Sequence, residues 1–240
     1  MKAFNYDKIP EFFLIIFPAL KITLEYVFLA FLIGIVLGTL LAFAKISKNK
    51  FIKKLAYGYT TVMRCTPSIV LLFIVYYGLP KFINSLFGIQ MDTLNRTKYV
   101  TITLALFCIS SLSEVIRAAY ESLDKTQIEA SASIGMTKMQ SFFHVLLPQM
   151  FSAAIPNFCN TILMLIKEGA LAYTIGLLDL FGKGNYVIGQ HHGGYAVEVY
   201  AILIIIYWLL SLFITSLSHY FENAFDYSSG GRNKRRRKNA

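Results

Sequence analysis

The chain has 240 residues, of which 56% are hydrophobic and 15% charged, with a net charge of +10. A water-soluble domain carries about 25% charged residues over its surface. Here the charges cluster between long uncharged runs, which excludes a soluble domain. The positive excess falls at the ends of those runs rather than on one face, which excludes nucleic-acid binding.

Lys2 and Lys8 precede an apolar stretch without a small-residue cleavage pattern, so no removable leader is expected. Residues 11–23 are apolar but interrupted by Pro18 and Lys21, and read as an interfacial helix within an external N-terminal segment, 1–23. The transmembrane domain covers 24–219. Its five spans fall at 24–44, 57–80, 99–119, 150–172 and 199–219, each near the roughly 20 residues that cross the hydrocarbon core as a helix. They are helices because no segment alternates at period two as barrel strands do. Gly34 and Gly38 form a G-x-x-x-G in the first span, a spacing suited to close helix packing.

Lys45, Lys48, Lys50, Lys53 and Lys54 follow the first span with no acid among them. Arg232, Lys234, Arg235, Arg236, Arg237 and Lys238 form a basic tail within 220–240. An even number of crossings separates the two clusters, so both lie on one side. That side is cytoplasmic, with the N-terminus outside and the C-terminus inside. The tail can also meet anionic lipid headgroups. Cys65, Cys108 and Cys159 lie far apart in apolar segments and suggest neither a metal site nor a disulfide framework. His191 and His192 read as residues of a solvated outer loop, with no third metal ligand in view.

The loop 124–149 has the grammar of a helical hairpin. Thr126 with Glu129, and Thr137 with Gln140, have the spacing of capping boxes that open helices. Gly135 sits where a helix end takes a left-handed residue. Pro148 is expected to end the second helix and open the fourth span. Ala130, Ser131, Ala132 and Ser133 give either a smooth docking surface or the face of an ordinary amphipathic hairpin.

Glu129-Ala130, Gly135 and Leu147-Pro148 resemble the E-A-A…G…L-P loop of permease subunits of ATP-binding-cassette importers. Arg64-Cys65-Thr66-Pro67 with Tyr76-Tyr77-Gly78-Leu79-Pro80 resembles the R-G-T-P…Y-x-G-L-P segment of the polar amino-acid branch. Glu114-x-x-Arg117 is similar to its E-x-x-R, and Lys167-Glu168 followed by Ile175-Gly176 to its K-D-x-S-L-x-x-x-I-G. Cys65, Glu168 and Ala170 depart from that pattern, and the last two leave the solute open.

The resemblance implies an all-α membrane permease with about five spans and a cytoplasmic coupling-helix loop. Its partners would be a cytoplasmic ATPase dimer, a second permease protomer and an extracellular or periplasmic solute-binding protein, in the cell membrane. Glu129, Ala130, Gly135, Met136 and Pro148 would couple to the ATPase, Glu129 by hydrogen bonding or pairing. This chain would carry no cofactor and no metal, because ATP and Mg belong to the ATPase. Gly182-Lys183-Gly184 lacks the spacing and the Ser/Thr of a phosphate loop.

An ionisable group at membrane depth is a functional candidate by default. Lys167 and Glu168 either contact solute or pair with another span. Asn157 and Asn160 either join helices or line the pathway. Thr66 and Pro67 join the pathway candidates, with Pro67 as a hinge or a static kink. Glu114 and Arg117, three apart, can form a structural or gating pair, and Arg64 can snorkel to the interface. A stand-alone transporter is disfavoured by the lack of an inverted repeat. An intramembrane enzyme is disfavoured by the lack of H-E-x-x-H or G-x-S-x-G.

Overall fold

The computed structural model describes residues 4–124 and 126–225. The basic tail, Lys2 and Lys125 lie outside the described residues. The described chain is helical: α1 Lys8–Ile46, α2 Lys50–Cys65, α3 Ser68–Phe87, α4 Arg96–Glu121, α5 Thr126–Ser133, α6 Lys138–Ile175, α7 Leu180–Gln190 and α8 Ala196–Ala224. Five of these, α1, α3, α4, α6 and α8, are long and apolar enough to cross a membrane.

The centre of the bundle is α1 against α4. Gly34 and Gly38 let the two backbones meet. A Cβ on Gly34 would lie 2.3 Å from Cys108 Sγ, and one on Gly38 would lie 3.2 Å from the Ile109 carbonyl oxygen. The buried stripe continues through Ala42 to Lys45. The helix that carries the first span begins at Lys8. Residues 8–16 run into the span through a short tightened turn at Phe17–Ala19, where Pro18 falls. Phe12 and Ile16 are fully buried against Leu180, Val199 and Leu203, so the segment expected to lie at the interface is packed against α7 and α8.

The second span also differs from the expected 57–80. Proline restricts the residue before it to extended backbone, and Thr66 (φ −90°, ψ 124°) and Pro67 (φ −60°, ψ 136°) break the helix completely. The candidate span is Ser68–Phe87, and residues 57–65 belong to α2, an amphipathic helix with Lys50, Lys53 and Lys54 exposed. Pro67 is therefore neither hinge nor kink within a helix but the residue between two helices.

Pro148 does not end a helix. Proline cannot donate to the carbonyl four residues back, and its ring collides with that carbonyl. Both Leu-Pro pairs meet this constraint by widening the turn before them. Ile74–Gly78 and Phe142–Leu146 are π-helical, with Leu79 N–H donating to the Ile74 carbonyl and Leu147 N–H to that of Phe142. Pro80 and Pro148 then enter in a first turn. The result is a helix, α6, that runs unbroken from the hairpin through the fourth span.

Replacing Gly34 with Val should lower the melting temperature of the detergent-solubilised protein, because overpacking of this kind costs about 1–3 kcal/mol. Gly58→Ala is the control. Its Cβ meets no atom within 4 Å, and the change should be neutral or raise the melting temperature slightly.

Candidate functional site

The hairpin of α5 and the start of α6 is held together from its inner side. The Ser131 and Ser141 hydroxyls are buried and 2.6 Å apart. Gln149 Nε2 donates to Gln127 Oε1 at 2.7 Å. Gly135 adopts φ +83°, and Met136 N–H closes the turn on the Ser131 carbonyl at 3.1 Å. A Cβ at Gly135 would meet nothing within 4 Å, so the demand for glycine there is conformational, not steric.

Thr137 and Gln140 form the expected reciprocal capping box. The Thr126–Glu129 box does not form. Thr126 is already inside α5, and its amide donates to Asp124 Oδ1 at 2.9 Å. Asp124 holds that role as a carboxylate, its pKa lowered by the Thr126 backbone N–H.

The outer side of the hairpin is left open. Glu129, Ala130 and Ala132 are exposed, and the Glu129 side chain makes no hydrogen bond or ion pair among the described residues, while its backbone carbonyl accepts from Ser133 Oγ at 3.0 Å. Ile134 is 78% exposed and Met139 68%. Met136 is half-buried and lines, with Ala130, Ile134 and Gln149, a groove of about 810 Å³. Pro148 is half-buried at the base of the hairpin.

The Glu114–Arg117 pair forms, with Glu114 Oε2 accepting from Arg117 at 2.6 Å, and Arg117 also bonds Glu121. The network extends to a residue that sequence reasoning counted among the loop lysines. Lys45 is 1% exposed, and its Nζ donates to Glu114 Oε1 at 2.6 Å and to Ser113 Oγ at 2.7 Å. Its place at the end of the buried Gly34–Gly38–Ala42 stripe was the signal that it faces inward. This network ties the hairpin ends of α1 and α4.

A second buried polar cluster was also missed. Asp179, after the fourth span, is fully buried and caps α7 by accepting the Gly182 amide at 2.8 Å. Tyr26 donates its hydroxyl to Asp179 Oδ2 at 2.8 Å, and the Leu180 amide donates to Thr23 Oγ1. The signal was Asp179 three residues ahead of Gly182, the geometry of a helix start. His191, read as solvated, packs its ring 5.2 Å from that of Phe12.

The pathway candidates lie around the other face of α4. Asn157, Asn160 and Lys167 form an exposed polar stripe on α6, and their side chains take no hydrogen bond or ion pair among the described residues. Lys167 and Glu168 point apart, as adjacent helical residues must. Glu168 turns toward α3 and α4, where it lines a void with Ser68 and Thr103. Arg64 and Thr66 line a chamber of about 430 Å³ with Ser110, Ser111, Glu114 and Met164. Arg64 is exposed. Pro67, also exposed, sets where α3 starts. Gly176, at φ +78°, closes the far end of the fourth span, and Arg96 Nη1 donates to its carbonyl at 3.0 Å.

A bundle of five candidate spans with a polar lane between α3, α4 and α6 defines a multi-pass membrane permease component. The chain belongs to the family described as the binding-protein-dependent transport system inner membrane component, whose model matches residues 34–227. It is 35% identical over 211 residues to the L-cystine transport system permease protein TcyL of Bacillus subtilis, covering 88% of this chain and 87% of that one. It is 35% identical over 200 residues to the arginine transport system permease protein ArtQ of the same organism, covering 83% and 87%. Among solved structures, the crystal structure of an amino acid ABC transporter with histidines superposes with a TM-score of 0.80 at 28% identity, covering 93% of this chain and all of that one. The methionine transporter MetNI shares the fold at 20% identity, with a TM-score of 0.66. The architecture is that of type I importer permeases.

Burial pushes the Asp179 carboxyl from 3.8 up to about 6, against the opposing pull of the Gly182 amide and the Tyr26 hydroxyl. An acid raised in the folded state contributes most stability below its unfolded pKa and loses it as pH rises through the folded one. The melting temperature of the native protein should therefore fall between about pH 4 and 6 relative to Asp179→Asn, with a difference on the order of 3 kcal/mol at most.

Proposed function

We propose that this chain is the membrane-spanning subunit of an ATP-driven importer for a polar amino acid or a close relative such as cystine. It takes solute from an extracellular binding protein and is driven by a separate cytoplasmic ATPase dimer, which supplies ATP and Mg. It sits in the cell membrane with the N-terminus outside and the hairpin on the cytosolic side. The cystine and arginine systems named for its relatives support the solute class.

The observation that carries the reading is the asymmetry of the hairpin. Its polar contacts are spent internally, through Ser131–Ser141, Gln127–Gln149 and the Thr137–Gln140 box, while Glu129, Ala130 and Ile134 stay open for a partner. The unbroken α6 joins that surface to Lys167 and Glu168, so a push on the hairpin reaches the polar lane. Asn157, Asn160 and Lys167 support a second permease protomer or an aqueous path beside α6, because unpaired polar groups facing lipid are costly.

Gly135→Val places a β-branched residue at φ +83°, where left-handed backbone costs about 1–2 kcal/mol. In proteoliposomes holding the full complex, this variant should insert normally but lose at least about tenfold of ATP-driven uptake, and Gly135→Asn, which tolerates that backbone, should keep most of it. Purification of the native protein in mild detergent should bring an ATPase subunit with it. Full-speed uptake without any ATPase would instead support stand-alone transport.

A further inference from the structure

Two spaces in the polar lane meet at the same side chains. The chamber of about 430 Å³ is lined by Arg64, Thr66, Ser110, Ser111 and Glu114. The void beside Glu168 and Thr103 measures about 10 Å³. Ser68 and Phe107 line both. Three helices agree on the order of the two spaces. Along α4, Thr103, Phe107, Ser110, Ser111 and Glu114 share one face at helical spacing and descend about 16 Å toward the hairpin end. On α6, Met164 borders the chamber and Glu168 the void. On α3 and the segment before it, Thr66 borders the chamber and Leu72 the void.

The sizes decide what each space can hold. A void of about 10 Å³ takes at most one water, whereas the chamber has room for an amino-acid-sized solute. Ser110, on the chamber wall, is 2% exposed, and its hydroxyl oxygen is buried with no hydrogen-bond partner among the described residues. In this conformation the lane is therefore open below Phe107 and shut at and above it. Ser68 is too small to close the lane, so the aromatic ring is the obstruction.

We infer that Phe107 is the gate residue of the solute path, the side chain that must swing aside for solute to pass from beside Glu168 into the chamber. The inference deepens the importer reading and rests on it for the identity of the cargo, while the gate geometry stands on α3, α4 and α6 alone. A smaller residue at this position joins the two spaces, and a larger one keeps them apart.

The test uses the complete nucleotide-free complex with Cys65 and Cys159 replaced by Ser, leaving the buried Cys108 in place. A membrane-impermeant cationic methanethiosulfonate reagent is added from the hairpin side. Ser111→Cys, in the chamber, should react readily, and Thr103→Cys, beyond Phe107, at least about tenfold more slowly. Adding Phe107→Ala should bring the Thr103→Cys rate to within about threefold of the Ser111→Cys rate, with Phe107→Leu intermediate and Phe107→Trp no faster than the parent. An unchanged Ser111→Cys rate in each variant shows that the bundle has kept its shape. Thr103→Cys reacting as fast as Ser111→Cys in the parent, or failing to accelerate in both Phe107→Ala and Phe107→Leu, overturns the assignment. These rates require neither solute nor ATP hydrolysis. They therefore fall or stand separately from the importer reading, which fails on uptake and subunit composition.

Discussion

Every polar group inside a hydrocarbon phase must be paired or must face water, and that constraint sorts the side chains of this protein into two sets. Lys45, Glu114 and Arg117 form one closed network, and Tyr26, Asp179 and Thr23 another. Both sets of partners come from segments distant in sequence, so each cluster fixes a contact between helices. The first ties α1 to α4 near the hairpin, and the second ties α1 to the start of α7. Arg64, Asn157, Asn160, Lys167 and Glu168 make no such pairs among the described residues. Their cost is relieved only where they are kept away from lipid: Arg64 and Glu168 line the lane between α3, α4 and α6, and Asn157, Asn160 and Lys167 form the exposed stripe along α6.

The same division explains the mechanics. The α1–α4 seam is dry and tight, with glycine against Cys108 and against the Ile109 backbone, so it moves as one unit. The lane on the other side of α4 is loosely filled and lined by hydroxyls and charges. Helix α6 borders that lane and continues into the hairpin. Two of its irregularities, the widened turn before Pro148 and the internal Pro156, lie between the Gly135 turn and the Lys167–Glu168 pair. About 46 Å of continuous helix separates Thr137 from Glu168. A displacement at the hairpin is carried along that length while the central seam stays fixed.

The sequence made five crossings and the hairpin legible because uncharged runs near 20 residues, G-x-x-x-G spacing and the Thr137–Gln140 pair each have a direct physical meaning. It misplaced the second span because the apolar residues on either side of Arg64–Ser68 read as one stretch, and hydropathy does not register the break in backbone geometry at Thr66 and Pro67. It misread Pro148 for the converse reason. Proline ends an ideal helix, but a π turn absorbs the clash, and nothing in residue type announces one. Lys45 reads as a loop charge, and Asp179 does not stand out, because their partners, Glu114 and Tyr26, lie 69 and 153 residues away. The lane residues on α4 were hidden in a different way. Phe107 and Ser110 are unremarkable in a membrane helix until the neighbouring helices show that they line a chamber.

The central claim is that the unpaired polar stripe of α6 is shielded from lipid. Power-saturation electron paramagnetic resonance on single nitroxide labels measures this in bilayers, by comparing collisions with oxygen, which concentrates in lipid, and with a water-soluble nickel chelate. Labels at Asn160 and Lys167 in the assembled complex should show low oxygen accessibility, and labels at the outward-facing Val36 and Leu40, each 61% exposed, should show high values. Oxygen accessibility at 160 and 167 equal to that at 36 and 40 would contradict the account.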